Sequence, residues 1–345
     1  MHTAPPDAPA LHTVTGPLDP AAVRGPVLPH EHLVLDLDRA GDGAAVLDPA
    51  RHGPQVAAEL AELRQEFGLS LVVELTCRGM GRDIPALARA ARASGVPVVA
   101  STGWYYEPFH PAEVAGDVDA LTEVLVREAE HGIDGAGVAG ARPGVIGEVG
   151  SHGDTPSAPE TRVLRAAARA ALATGLSVST HAQLGRGGLA QLDILTSEGL
   201  APHRICIGHQ DLLDDPAAHA EIAASGAYVA FDTVGKESYQ PDAVRLRLLL
   251  ALLDAGHADR ALLSCDISRH GYLRAEGGRG YGHLFRGFLP AARAAGLDGH
   301  LEALLTRYNP LRFLTGSGPG AAPRTSTART ADAPAGTAAP QEDKR

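Results

Sequence analysis

The chain alternates short apolar runs with longer segments of helical periodicity. Most of the apolar runs are rich in Val and Ile and are too short for helices, so they are predicted to be β-strands. Eight such runs occur, with the sequences GPVLPHEH, LSLVVELT, VPVVASTG, GVIGEVG, LSVSTHA, RICIGH, AYVAFDT and ALLSCD. Continuous apolar strands that alternate with helices are typical of a parallel sheet covered by those helices.

The helical segments between the runs carry clear start and stop signals. The first, VAAELAELRQEFG, ends at Gly68, and its apolar face is formed by Val56, Leu60, Leu63 and Phe67. The segment APETRVLRAAARAALATG ends on a glycine in the same way. The segment DDPAAHAEIAASG opens with Asp215 as a predicted N-cap and Pro216 in the first turn.

A parallel sheet of eight strands, each followed by a crossover, closes into a (β/α)8 TIM barrel. This α/β barrel is the predicted fold. An open, doubly wound sheet is the alternative. It is disfavoured because the dinucleotide-binding loop that usually follows its first strand is absent. We predict one domain over residues 13–316. Residues 1–12 and 317–345 are rich in Ala, Pro, Thr and Gly and are predicted to be disordered tails.

Composition narrows the function. The 345-residue chain has a net charge of −11, which argues against nucleic acid as a partner because binding its backbone requires a positive surface. No apolar run reaches 18 residues, so no membrane segment is expected, and the N-terminus is not typical of a signal peptide. The three cysteines are far apart and suggest no disulfide framework. A cytoplasmic location is therefore expected.

Polar side chains fall where the predicted strands end. These candidate metal ligands are His30 and His32 on strand one, Glu148 on strand four, His181 on strand five, His209 on strand six and Asp266 on strand eight. The carboxyl ends of barrel strands meet at one mouth, and residues two apart on a strand face the same way. Imidazoles and carboxylates bind zinc and similar ions. Six ligands are too many for one tetrahedral ion but suit two ions about 3.5–4 Å apart that clamp a shared hydroxide.

Each residue also has an ordinary structural explanation. A His-x-His pair is often structural or exposed, a histidine at a strand end can be a hydrogen-bonded core residue, and Asp266 can be a helix N-cap. The joint placement on five strand ends is what favours a metal centre. Four other histidines are interpreted as solvated residues: His52, His131, His219 and His257.

These residues and the motifs around them resemble the phosphotriesterase family of the amidohydrolase superfamily over about residues 25–316, and most closely its phosphotriesterase homology proteins. The motifs are LPHEHLVLDL, GVIGEVG, AYVAFDTVGKESYQPD, LLSCDISRHGYLRAEGGRGYGHL and YNPLRFL. The resemblance implies a metal-dependent hydrolase with two divalent ions, expected to be zinc. It places one ion on His30, His32, Glu148 and Asp266, and the other on Glu148, His181 and His209.

One position departs from the founding organophosphate hydrolases of the family, in which a carboxylated lysine bridges the metals. The corresponding residue here looks to be Glu148. A glutamate can bridge two ions without carbon dioxide chemistry. A metal centre is still expected with glutamate at this position. Organophosphate hydrolysis is no longer the expected activity.

The expected mechanism is attack by a metal-bridging hydroxide on a carbonyl or phosphorus centre, with Asp266 as proton acceptor or shuttle. Tyr105, just past strand three, corresponds to a tyrosine that lies near the metals in related lactonases. It is expected either to donate a hydrogen bond to the leaving oxygen or simply to pack in its loop. The cysteines are interpreted as core residues, not as catalytic thiols.

Basic residues after strands five, seven and eight suggest an anionic substrate, because arginine recognises phosphate and carboxylate through paired donors. The candidates are Lys236, Arg269, Arg274 and Arg186, with Arg279 nearby. Most such residues are solvated loop charges, and Lys236 and Arg269 are the favoured substrate ligands. The glycines of GGRGYG favour a mobile lid.

The expected function is therefore hydrolysis of a small ester or lactone, with a phosphorylated sugar lactone as one candidate. The alternatives are a phosphotriester hydrolase, a non-catalytic barrel that binds a metal or metabolite, and a lyase with a Schiff-base lysine. The lyase is disfavoured because lysine is sparse and none lies on a predicted strand. The resemblance leaves a homodimer open, although the sequence carries no interface signal.

Overall fold

The computed structural model describes residues 10–133, 137–138 and 140–318, and its centre is a sheet of eight parallel strands. The strands are β1 (Val27–Glu31), β2 (Leu71–Glu74), β3 (Val98–Thr102), β4 (Val145–Ser151), β5 (Val178–Ala182), β6 (Ile205–Ile207), β7 (Tyr228–Phe231) and β8 (Ala261–Leu263). They pair in chain order, and the backbone N–H of Asp266 donates to the carbonyl of His30 (3.3 Å) where the two edges meet. The predicted (β/α)8 barrel is confirmed.

Helices follow the strands and cover the sheet. They are α1 (Gly53–Phe67), α2 (Ile84–Ser94), α3 (Val118–His131), α4 (Ala158–Thr174), α5 (Gly188–Ser197), α6 (Pro216–Ala224), α7 (Asp242–Asp254), α8 (Leu289–Ala294), α9 (Gly299–Ala303) and α10 (Asn309–Thr315). Two π-helical segments, Leu284–Phe288 and Leu304–Tyr308, precede α8 and α10. Gly68 ends α1 in the left-handed conformation (φ 71°), and Asp215 caps α6 as predicted. None of the helices in the described part of the chain is long and apolar enough to cross a membrane.

The amino-terminal end of the barrel is closed by the first and last segments of the described residues. Strand residues such as Val27 and Leu71 pack there with Leu11 and with Phe313 of α10. Leu11 belongs to a short hairpin, Leu11–Thr13 with Gly16–Leu18, and is 5 % exposed. This hairpin overlaps the last residues of the predicted N-terminal tail, 10–12, because Leu11 enters the core. The remainder of the two predicted tails, residues 1–9 and 319–345, lies outside the described residues.

Candidate metal centre

The six predicted ligands converge at the carboxyl-terminal mouth of the barrel. None is more than 6 % exposed. Their ligand atoms fall into three overlapping groups, within which all lie less than 4.8 Å apart: His30, His32 and Glu148; Glu148, His181 and His209; and His30, His209 and Asp266. The structure thus brings together side chains that are separated by up to 236 positions along the chain, as the strand-end argument predicted.

Glu148 is the centre of this cluster. Its Oε1 lies 2.8 Å from Nδ1 of His181, 3.0 Å from Nε2 of His209 and 3.5 Å from Nε2 of His30. Its Oε2 lies 3.6 Å from Nε2 of His32 and is buried without a hydrogen-bond partner from the described part of the chain. One carboxylate therefore faces imidazoles on both sides, which is the position that a bridging ligand requires.

Asp232, directly after β7, orients two of the imidazoles. Its Oδ2 lies 2.7 Å from Nδ1 of His30, and its Oδ1 lies 2.9 Å from Nδ1 of His209. Burial opposes ionisation of Asp232, but the two histidines outweigh it and hold its pKa well below the ordinary value. Both Nδ1 atoms accordingly donate to this carboxylate, which leaves both Nε2 lone pairs directed at the cluster.

The other two imidazoles are held in the same manner. Nδ1 of His32 donates to Oγ1 of Thr76 (2.8 Å), which itself donates to the carbonyl of Val34 (2.7 Å). His181 is reversed, because its Nε2 lies 2.6 Å from Oε1 of Gln183 and its Nδ1 faces Glu148. Each histidine thus keeps one nitrogen for a support and one for the centre, which is the arrangement of metal-bound histidines.

These donors fit a pair of divalent cations. Nε2 of His30 and Oε2 of Glu148 are buried polar atoms with no hydrogen-bond partner among residues 10–133, 137–138 and 140–318, and leaving such atoms unsatisfied is costly. Four imidazoles and two carboxylates are the ligand types that zinc and its neighbours accept. The types of ligand present and the two unpartnered atoms therefore both support metal binding.

Charge within the cluster ties metal binding to pH. Burial disfavours a protonated His209, but Asp232 and Glu148 outweigh burial and raise its pKa to about 10. The same two carboxylates raise the pKa of His30, against burial. Since a metal ion must displace protons from these nitrogens, metal affinity falls as the pH falls.

Two of the ligands occupy a strained backbone conformation. His209 (φ 56°) and Asp266 (φ 48°) are in the left-handed region, and Leu184 (φ 55°) is the third non-glycine residue there among the described positions. Such residues cost roughly 1–3 kcal/mol each and persist where the surrounding structure holds them. All three line the pocket above the cluster, so the strain is concentrated at this site.

A pocket of about 180 Å³ opens above the cluster. Tyr105 lines it, and its hydroxyl lies 3.2 Å from Nδ1 of His181. Burial, together with the nearby Glu148 and Asp266 carboxylates, raises the pKa of Tyr105 well above its ordinary value, so the phenol keeps its proton. Tyr105 is therefore placed where its O–H can reach a bound oxygen atom.

Two of the predicted basic residues line this pocket. The ammonium group of Lys236, which is 8 % exposed, donates to Oδ2 of Asp266 and to Oγ of Ser268 (2.9 Å). Arg269 is exposed at the mouth and has no ion-pair partner within the described part of the chain. Among the described residues, the pocket thus holds Lys236, whose charge is neutralised by Asp266, and Arg269, which has no ion-pair partner.

The other two predicted substrate ligands lie elsewhere. Arg186 pairs with Asp154 at the surface, with 2.6 Å between Nη2 and Oδ2, and Arg274 pairs with Glu62 of α1. Neither side chain lines the pocket that we expected them to line. A nearby carboxylate holds each of these two arginines at the surface, so neither reaches the pocket.

The glycine-rich part of the loop after β8 is fastened to α1. The Glu59 carboxylate accepts hydrogen bonds from the backbone N–H groups of Arg274 (2.7 Å) and Tyr281 (3.2 Å). These two residues bracket the GGRG segment. The segment expected to be a mobile lid is therefore held at both ends.

Several supporting residues escaped sequence reasoning. Asp232 and Thr76 orient ligands, and the signal for Asp232 was available, because it ends a strand as the ligands do. His52 and His219 are buried, not solvated as expected: Nδ1 of His52 accepts from the backbone of Asp48, and His219 packs edge-on against a phenylalanine.

Comparison with known proteins agrees with this geometry. The model of the phosphotriesterase family matches residues 9–314, which is most of the chain. The chain belongs to the phosphotriesterase family. This family is binuclear metal dependent and its members are hydrolases, so the chain is a phosphotriesterase-like metal-dependent hydrolase.

Three relatives illustrate the range of this family. A phosphotriesterase homology protein of Escherichia coli is 37 % identical, over 84 % of this chain and 97 % of its own length. Its structure, described as complexed with phosphate in the active site, has a TM-score of 0.81 and 36 % identity, and the match covers 85 % of this chain and 99 % of that chain. An N-acetyltaurine hydrolase of Rattus norvegicus is 30 % identical (88 % and 97 % covered), and a lactonase of Listeria monocytogenes is 25 % identical with a TM-score of 0.80 (88 % and 98 % covered).

Proposed function

We propose that the protein is a binuclear, zinc-dependent hydrolase that cleaves a small ester or lactone bearing an anionic group, such as a phosphorylated sugar lactone. The observation that carries this proposal is the exposed guanidinium of Arg269, which no residue of the described chain pairs with and which shares one pocket with the buried Asp266–Lys236 pair above the ligand cluster. Cationic side chains in an acidic protein favour an anionic substrate over a neutral phosphotriester.

The ligand cluster would hold two ions, one on His30, His32, Glu148 and Asp266 and the other on Glu148, His181 and His209. When bound, such ions polarise a carbonyl oxygen and lower the pKa of water, which supplies a nucleophile at neutral pH. Asp266 is the residue placed to accept a proton and carry it to the leaving oxygen, because its carboxylate faces both the cluster and the pocket.

Tyr105 and Lys236 act beside it. The protonated phenol of Tyr105 donates a hydrogen bond to the substrate oxygen that gains negative charge. Lys236 holds Oδ2 of Asp266, which fixes the orientation of that carboxylate. In this role Lys236 positions the catalytic carboxylate, which leaves Arg269 as the cation that binds the anionic group of the substrate.

The pocket has two unlike sides. Lys236 and Arg269 follow β7 and β8, whereas Tyr106 and Phe109 follow β3, which lies four strands from β7 around the ring. A substrate that spans this pocket presents its anionic group to the first side and an apolar group to the second. A cavity of roughly 150 Å³ accommodates benzene, so a pocket of about 180 Å³ suits a small molecule.

The test is a set of matched substrates offered to zinc-loaded protein of measured metal content. Each pair contains a lactone or ester with an anionic group and its neutral analogue, and paraoxon-like triesters complete the set. The anionic member of each pair should have the higher kcat/KM. Rapid turnover of the triesters without turnover of lactones or esters would reverse the proposal, and a metal-loaded protein inert to every compound would favour the non-catalytic barrel.

A second candidate function is hydrolysis of an anionic N-acyl amide. Similarity to the N-acetyltaurine hydrolase favours it, because the substrate in that name joins a short acyl group to an acidic group. Amide counterparts of the same anionic esters decide between the two. Higher kcat/KM for the amides would select this second function.

A further inference from the structure

Glu31, the residue between the two histidines of β1, lies at the seam where the barrel closes. Backbone ladders join every neighbouring pair of barrel strands from β1 to β8 in chain order, and the described residues form no ladder between β8 and β1. The seam is joined instead by individual hydrogen bonds, including that from Asp266 N–H to the His30 carbonyl. Glu31 is completely buried there.

The Glu31 carboxylate binds the segment after β8 at three points. Its Oε1 accepts from Oγ of Ser264 (2.8 Å) and from the backbone N–H of Cys265 (2.8 Å), and its Oε2 accepts from the backbone N–H of Ile267 (2.9 Å). Cys265 and Ile267 are the immediate neighbours of Asp266. Glu31 therefore holds the peptide that follows this ligand, between Asp266 and Ile267, and the Ser264–Cys265 peptide one unit before it, while the N–H of Asp266 itself donates to His30.

Asp266 needs such a restraint. It occupies the left-handed backbone region (φ 48°), which aspartate adopts only at a cost. Released from its neighbours, the segment would relax toward an ordinary conformation and turn the carboxylate away from His32, whose Nε2 lies 3.2 Å from Oδ1. The strain is sustained at this point because the Glu31 hydrogen bonds hold the chain on both sides of Asp266, at the N–H groups of Cys265 and Ile267.

We propose that Glu31 is a positioning residue that holds Asp266 in its metal-binding conformation. Glu31 itself belongs to none of the candidate ligand groups and does not line the pocket. The proposal rests on the metal centre of the proposed function and adds a role for the middle residue of the His-Glu-His motif. That motif then supplies two ligands from β1 and, between them, the support for a third ligand from β8.

The experiment compares Glu31→Gln with Glu128→Gln. Both exchanges neutralise a completely buried glutamate, and Glu128 accepts from Arg82 and Thr102 at the outer side of the barrel, away from the cluster. The thermal stability of metal-free protein, zinc retention against graded chelator and the visible spectrum of cobalt-loaded protein are measured without substrate. A failure of hydrolysis in the wild type would therefore leave these readouts intact.

Glu31→Gln should release one of its two zinc ions at about 10–100-fold lower chelator concentration and shift the cobalt spectrum. Glu128→Gln should lower thermal stability and retain both ions. The proposal is overturned if Glu31→Gln retains zinc and the cobalt spectrum as the wild type does, if Glu128→Gln loses zinc equally at a matched loss of stability, or if the wild type takes up no metal.

Glu31→Asp decides the question if Glu31→Gln does not fold, since the shorter side chain keeps the carboxylate and withdraws it from its three donors after β8. A several-fold weaker retention of a single zinc ion supports the proposal. Retention and a cobalt spectrum identical to those of the wild type overturn it.

Discussion

The floor and the rim of the pocket are built differently. The floor, formed by the six candidate ligands and Asp232, is buried, and most of its hydrogen bonds join residues from different strands. At the rim, Arg186 and Arg274 are exposed and paired with surface carboxylates, and Arg269 has no ion-pair partner in the described chain. Strand alternation fixes where floor residues point, whereas loop conformation decides which rim residues reach the pocket.

The difference between the floor and the rim predicts that the largest loss of activity follows from a change in the floor, at Asp266. Asp266→Asn should lower kcat by about 10²–10⁴-fold, because the amide cannot accept the proton that the carboxylate carries. The measurement is steady-state kinetics on protein whose metal content is determined in parallel. Full turnover at normal metal content would show that this floor residue has no role in proton transfer.

Removing Asp232 tests whether the floor acts as a unit. Asp232→Ala frees two imidazoles, His30 and His209, that are proposed to hold different ions, so both ions should be lost at about 10–100-fold lower chelator concentration. Thr76→Val is the matched control, because it frees only His32. An Asp232 variant that retains both ions as tightly as the Thr76 variant would contradict the shared support.

Arg269 is the rim residue expected to matter for binding. Arg269→Gln should raise KM for anionic substrates about 10–100-fold, as loss of a charged hydrogen bond does, and leave KM for their neutral analogues unchanged. Arg186→Gln and Arg274→Gln are the controls. Equal changes in all three variants would mean that the rim acts through overall charge alone.

A buried carboxylate outside both regions should affect stability without affecting catalysis. Burial opposes ionisation of Glu128, but Arg82, Thr102 and Arg78 outweigh it and lower its pKa. A lowered pKa in the folded state stabilises the protein above the unfolded pKa, and this contribution is lost as the pH falls through the folded value.

Glu128→Gln should therefore reduce the free energy of unfolding by about 1–3 kcal/mol at pH 7, with a smaller difference below about pH 4.5. Denaturant unfolding across this range measures the difference, and kcat measured on the same samples should not change. A difference that grows toward acid pH would reverse the assigned sign.

The floor was predictable because two regularities determine it. Barrel strands end at one mouth, and residues two apart face the same way, so His30 and His32 could be placed together without coordinates. Asp232 obeys the same rule and could have been included. Glu31 could not, because its partners depend on how the last strand meets the first, and no local pattern encodes that pairing.

The rim was predicted poorly because it depends on neighbours far along the chain. Nothing near Arg274 in the sequence shows that Glu62, 212 positions away, binds it. His52 likewise looked solvated, yet packing against His270 of the loop after β8 buries it, with the two rings stacked at 5.3 Å. Loop residues acquire their environment only when the tertiary structure forms.

The attachment of the loop after β8 to Glu59 bears on how new specificities arise in this barrel. With its distal half fastened to the scaffold, this loop offers a short stretch around Arg269 in which side chains can be exchanged while the backbone keeps its course. Substrate preference can then diverge through a few point substitutions, without insertions and without disturbing the reactive centre beneath.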